Sequence, residues 1–180
     1  ALLDIGRRAN IPVYFDSAQG LGATYKGKPL GQFGSCEVFS LSPTKVVTAI
    51  EGGLLTTNDP AIAERVRSMR DYGKDLEKGE EMVHLGLSAR MSELHAAIGL
   101  IGLQRVHELV KARIERIAVY RDRLGHLPGC LVQEFPYDRT TSGNYFVLFI
   151  GDAARRSRDQ VYEDLKKASI QTKRYFYPPV

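Results

Sequence analysis

The sequence predicts an α/β fold, with a mainly parallel sheet in a large domain and part of a smaller α/β domain after it. Three observations lead there. Short apolar runs alternate with helix-like stretches through the first half, the pattern of a sheet buried on both faces. A long amphipathic stretch then runs from Met91 to about Leu124 and stops at Gly125 and Leu127-Pro128-Gly129. Beyond it the order becomes strand, strand, helix, strand, which suits a small α/β unit. The expected division is therefore 1–126, including a helix over 91–125, and 127–180.

Taken in order, residues 1–9 read as a helix feeding a short apolar strand, Pro12–Phe15, which ends flush with Asp16. Ligands of such sheets gather at strand ends, so Asp16 stands where chemistry is expected. Gly20, Gly22, Gly27, Gly31 and Gly34, with Lys26, Lys28 and Pro29, predict a loop with a hairpin turn at Tyr25–Pro29. Cys36–Leu41 is the next strand, and Ser42-Pro43-Thr44 forms the turn that presents Lys45. Pro43 restrains that turn by fixing one backbone angle. Glu51–Thr57 reads as a tight turn into a further strand.

Asn58-Asp59-Pro60 is a helix start, with Asp59 as N-cap and Pro60 in the first turn. Ile62, Val66 and Met69 form the apolar stripe of that helix, and Arg65, Arg67 and Arg70 its wet side. Residues 73–85 are polar and irregular. The long helix carries Leu94, Ala97, Ile98, Ile101, Leu109, Ile114 and Ile117 on one broad stripe, whose spacing drifts from strict heptads. Past its end, strands are expected at Leu131–Phe135 and Tyr145–Ile150, a charged helix near Ala154–Ser169, and a last strand at Ile170–Phe176.

The chain has 43% hydrophobic and 26% charged residues, which places it among globular proteins and excludes a disordered tract. Lysine and arginine number 25 against 21 acids, and the resulting +4 is too small and dispersed to suggest nucleic acid. Cys36 and Cys130 are the only cysteines and lack metal-ligand spacing, in keeping with a reducing cytoplasm. No apolar run reaches bilayer-spanning length, so no membrane partner is expected.

The chemistry converges on Asp16 to Lys45. An aspartate at one strand end, a serine five residues before a lysine, and a restrained turn presenting the amine are the equipment of a pyridoxal 5'-phosphate site. Lys45 would hold the cofactor covalently and shuttle protons. Asp16 would pair with the protonated ring nitrogen, keeping the ring an electron sink. Ser40 would grip the phosphate. Each residue alone has an ordinary structural role available: a strand-end turn, a solvated loop lysine, the polar position of a strand.

Together they form a recognisable pattern. Asp16-Ser17-Ala18-Gln19, the glycines, Phe39-Ser40-Leu41-Ser42-Pro43-Thr44-Lys45 and Glu51-Gly52-Gly53 resemble the DegT/DnrJ/EryC1/StrS family of sugar aminotransferases. A second block, His84 to Ala97 with Gly86-Leu87-Ser88-Ala89-Arg90-Met91 within it, is similar to that family's Gly-x-Asn-x-Arg-Met segment. The resemblance implies fold type I of the pyridoxal phosphate enzymes and a homodimer whose two chains share each site. It also implies transfer of an amino group from an amino acid, glutamate or glutamine, to a nucleotide-linked keto sugar.

By resemblance, Gln19 would contact the cofactor ring or its phenolate oxygen. Ser88 stands where the family carries an Asn that reaches the phosphate across the subunit boundary, and its shorter hydroxyl would do the same work. Arg90 would either touch the site or pair with an acid, and His84 and His95 are assigned to packing or the helix surface. Ile50 departs from the Gly that the family usually places before Glu51. Lysine rather than histidine at position 45 favours aminotransfer over dehydration. Another fold type I enzyme, such as a lyase or decarboxylase, and a non-catalytic regulatory homologue are the alternatives. Family members are about twice this length, so the sequence is expected to be a middle portion lacking further phosphate and ring contacts, and inactive by itself.

Overall fold

The computed structural model describes residues 1–75, 77–79 and 81–175. The chain divides into two compact units, the first made of Ala1–Ile114 and Phe135–Asn144, the second of Glu115–Glu134 and Tyr145–Val180. Among the described residues no helix is long and apolar enough to cross a membrane.

In the first unit, α1 (Leu2–Ala9) ends on Asn10 in the left-handed conformation, φ 53°, and feeds β1 (Tyr14–Asp16). The glycine-rich stretch folds as the expected hairpin, β2 (Thr24–Tyr25) paired with β3 (Lys28–Pro29). Its two-residue turn needs positive φ at both positions, met by Lys26 at 50° and Gly27 at 75°. Then come β4 (Cys36–Ser40) and β5 (Gly53–Thr56), giving a three-stranded sheet in the order β1-β4-β5. β1 runs parallel to β4, and β5 antiparallel to it. One face of this sheet is open within the chain, with Tyr14 and Val38 exposed. The expectation of burial on both faces is not met at those two side chains among the described residues, although Cys36 on the same face is buried.

The helix α2 (Pro60–Arg70) starts as its sequence demands: the Asp59 carboxylate accepts from the N–H groups of Ala61 and Ile62, and proline occupies the first turn, where an N–H is not missed. The segment after it returns against the helix end, and two backbones meet at glycines. A Cβ on Gly86 would lie 2.0 Å from the Gly73 nitrogen, so only glycine fits.

The single helix expected over 91–125 is instead two, α3 (Glu93–Gln104) and α4 (Val106–Leu124), separated by Arg105. The cause is local. α3 lays its glycines on the core, where a Cβ on Gly102 would stand 2.8 Å from Val47 Cγ1. Arg105 N–H then closes on the Gly102 carbonyl at 3.1 Å, a tighter turn that ends the ladder, with Arg105 at φ −106°, ψ 7°. The Arg105 guanidinium forks onto Glu108, at 3.0 and 2.8 Å, and restarts the chain as α4. The core of this unit is Leu41, Val47 and Ala49, packed by Leu21, Leu54, Met91, Leu103, Val106 and Leu109.

The second unit holds a two-stranded antiparallel sheet, β6 (Cys130–Val132) with β7 (Leu148–Ile150), and α5 (Arg158–Lys167). Ser157 and Gln160 form a reciprocal capping box at the start of α5. Tyr120 stacks on Phe146 with ring centroids 4.9 Å apart. The last strand expected, Ile170–Phe176, is absent over 170–175: this exposed run, Gln171-Thr172-Lys173-Arg174 at its centre, finds no ladder partner among the described residues. Phe176 and the turn through Pro179 lie outside the described residues.

Candidate active site

Parallel pairing sets the C-terminal ends of β1 and β4 side by side. Asp16 stands opposite Val38, and the ladder continues past the strands, with Ser17 N–H donating to the Val38 carbonyl at 2.9 Å and Ser40 N–H to the Ala18 carbonyl at 3.4 Å. Side chains alternate along a strand, so Asp16, Val38 and Ser40 share one face, and Phe15, Glu37 and Phe39 the other. The carboxylate and hydroxyl singled out in the sequence thus reach the same end of the same face. Asp16 is exposed, and its Oδ1 accepts the Ala18 N–H at 3.0 Å. Ser40 is half-buried; its hydroxyl donates to Ser42 Oγ at 3.2 Å and accepts the Ser42 N–H at 3.3 Å.

Lys45 follows in a turn closed by its own N–H on the Ser42 carbonyl at 3.1 Å. The loop carrying it is pinched at the base, where Ala49 N–H and Thr48 Oγ1–H both donate to the Leu41 carbonyl, at 2.8 and 3.2 Å. Leu41 and Ala49 are 1% and 0% exposed, so the neck is anchored in the core while Lys45 is half-buried. Among the described residues no carboxylate pairs with its amine.

Gln19 is exposed, and its backbone carbonyl accepts the Ser142 hydroxyl at 2.7 Å. The turn 16–20, together with Phe135 and Thr140–Ser142, borders a cavity of about 460 Å³. Asp16 and Gln19 line it; Ser40, Lys45 and Ser88 do not. Ser88 is exposed and bridges to Asp71, in a segment tied to the end of α2 by Leu87 N–H to Met69 at 2.7 Å and Ala89 N–H to Arg70 at 2.9 Å. It lies in a different segment from the strand ends that carry Asp16 and Ser40. Arg90 pairs with an acid, its guanidinium 3.4 Å from Asp71 and over the Tyr72 ring. His95 belongs to the Ser92 cap of α3.

Sequence reasoning missed three contributors. Ser42 supplies a second hydroxyl beside Ser40. Residues 140–142 come back to the site across more than a hundred positions, a return that leaves no local signal. Glu37 is 1% exposed within the central strand. Its signal was present, since an acid in the run Cys36-Glu37-Val38-Phe39 falls on the same side as Phe39 by alternation. Burial, and then the Glu37 carboxylate, push the thiol of neighbouring Cys36 above the ordinary thiol range.

The chain was compared with known proteins. The model of the DegT/DnrJ/EryC1/StrS aminotransferase family matches residues 1–180. GDP-perosamine synthase of Caulobacter vibrioides is 34% identical over 180 residues, covering 98% of this chain and 48% of its own length. The crystal structure of DesI with its TDP-sugar product aligns with a TM-score of 0.87 at 36% identity, covering 98% of this chain and 45% of DesI. Escherichia coli GDP-4-keto-6-deoxy-D-mannose-3-dehydratase, solved with bound hydrated PLP, aligns with a TM-score of 0.83 over 94% of this chain and 48% of its own; at 24% identity it speaks for the fold alone. The chain spans about half the length of the relatives it matches.

Proposed function

Because the chain belongs to the DegT/DnrJ/EryC1/StrS aminotransferase family and has the fold type I architecture, we propose that its protein is a pyridoxal 5'-phosphate-dependent aminotransferase. Its acceptor would be a nucleotide-linked keto sugar, as the names of its relatives suggest, and its donor an amino acid, glutamate or glutamine. The protein would act as a homodimer. The observation that carries this reading is the placement of Asp16 and Ser40 at one end of one sheet face, with Lys45 on a loop anchored in the core immediately after.

The donor set fits the cofactor. It offers a carboxylate for a protonated ring nitrogen and hydroxyls for a phosphate at the strand ends, and on the loop that follows an amine for an aldehyde, without a carboxylate partner among the described residues. When bound, pyridoxal phosphate supplies an aldehyde and an electron-withdrawing ring. Asp16 would hold a proton on the ring nitrogen through the attraction of its carboxylate. Ser40, with Ser42 beside it, would donate to phosphate oxygens. Gln19 would orient the ring from the adjoining turn, and Ser88 would reach the phosphate from the second copy. Lys45 Nζ would retain the cofactor between turnovers and carry the proton at the carbon that gains or loses nitrogen. The half-buried setting and pinched loop hold that nitrogen in place, which proton transfer rewards more than tight binding.

The test uses full-length protein. Wild type should be yellow with bound cofactor, and borohydride should fix the cofactor's mass to the peptide containing Lys45. Lys45→Ala should be colourless and form no amino sugar from a nucleotide keto sugar and glutamate. A wild-type protein that binds cofactor yet yields product only by decarboxylating or eliminating from amino acids would overturn the assignment.

A further inference from the structure

We infer that Glu37 is a positioning residue for this site: from the opposite face of the sheet its carboxylate fixes the turn 16–20, and with it the direction of the Asp16 carboxylate. The inference rests on the proposed pyridoxal phosphate reading. Glu37 belongs to the central strand, between Phe15 of β1 and Thr56 of β5, and is 1% exposed. A buried carboxylate in such a place is costly compared with an apolar side chain unless its oxygens are fully hydrogen-bonded. Among the described residues no lysine, arginine or histidine pairs with it. It is held by three donors from two separate segments. Oε2 accepts the Ser17 hydroxyl at 2.7 Å, and Oε1 accepts the N–H groups of Gly31 and Phe33, both at 2.7 Å.

Ser17 is the link to the chemistry. It follows Asp16 directly, and both of its donors are committed to β4: its N–H to the Val38 carbonyl and its hydroxyl to Glu37. The Ser17 carbonyl in turn accepts the Gly20 N–H at 2.8 Å, which closes the turn. A residue tied at three points leaves its predecessor little freedom to rotate, so Asp16 points where Glu37 allows. The same carboxylate anchors the loop at 31–33, and one buried group therefore sets two segments against the central strand. An apolar side chain of similar volume could fill the space but could not set these directions.

Full-length Ser17→Ala, Ser17→Thr and Glu37→Gln proteins test this by pyridoxal phosphate titration, by pH titration of the visible band of the bound cofactor, and by melting temperature. Ser17→Ala loses one hydrogen bond to a charged group and should bind pyridoxal phosphate about 10-fold more weakly. Its visible band should titrate at a shifted pH, because the ring nitrogen no longer meets a well-aimed carboxylate, and its melting temperature should fall, because buried Oε2 loses the Ser17 donor. Ser17→Thr keeps the hydroxyl and should restore affinity and titration. Glu37→Gln removes the charge, but its amide N–H can still meet the Ser17 hydroxyl, so it should fall between wild type and Ser17→Ala in affinity and titration. Unchanged affinity and titration in Ser17→Ala, or failure of threonine to rescue, would overturn the role of Glu37 alone. A wild-type protein that takes up no pyridoxal phosphate would overturn the site reading and this inference together.

Discussion

Ile50 occupies a backbone conformation that its side chain resists. Its φ is 65°, in the left-handed region, where a β-branched residue meets its own carbonyl at a cost of roughly 1–2 kcal/mol. The family resemblance places glycine there, and the positive φ is the physical reason. Ile50 is half exposed, so little packing is lost on its removal. After allowing for the greater freedom of glycine in the unfolded chain, Ile50→Gly is expected to raise stability by about 1 kcal/mol, read as a higher denaturant midpoint with unchanged slope. Cys36 offers a second check at this scale. Its raised thiol pKa keeps it neutral and slow to react, so alkylation of native protein near pH 8 should label Cys130 first. The sign for stability follows: the contribution is intact below the unfolded thiol pKa and is lost as pH rises through the native one. Asp16, Ser40 and Lys45 could be proposed from the sequence because each is a residue type the proposed chemistry requires, at a spacing local enough to read. Glu37 was not chosen because its link to the site, Ser17, is brought beside it by strand pairing across 20 residues.

Among the elements, those governed by local signals matched their sequence most closely. The hairpin at Lys26-Gly27 and the start of α2 depend on residues within a few positions, and both formed where expected. Asp59→Ala should cost about 1 kcal/mol, because two N–H groups at the start of α2 lose their acceptor; chemical denaturation checks it. The break at Arg105 was hidden for the opposite reason. Helical periodicity continues across it, and only the contact of Gly102 with Val47, from a distant part of the chain, ends α3. The missing strand at 170–175 is likewise a tertiary matter, since an extended run becomes a strand only beside a partner.

For the molecule as a whole, burial is uneven. Leu85, Leu87 and Leu94 are 92%, 72% and 78% exposed, on the segment before α3 and on α3 itself. Side chains of this size gathered in one part of the sequence fit the proposed pairing with a second copy. Leu94→Glu in the full-length protein should shift sedimentation from dimer toward monomer, and an unchanged dimer would place the interface elsewhere. Periodicity located Leu94 on an amphipathic helix but could not say which of its faces meets the chain's own core.

The pinched base of the Lys45 loop has an effect on how the protein would fail. Leu41 and Ala49 belong to the least exposed part of the first unit, and their hydrogen bond cannot open without disturbing the packing around them. The Lys45 nitrogen, in its proposed role, therefore has no cheap local route to disorder. Warming should leave it aligned until the surrounding fold gives way, so that chemical competence and tertiary structure are lost in one cooperative event.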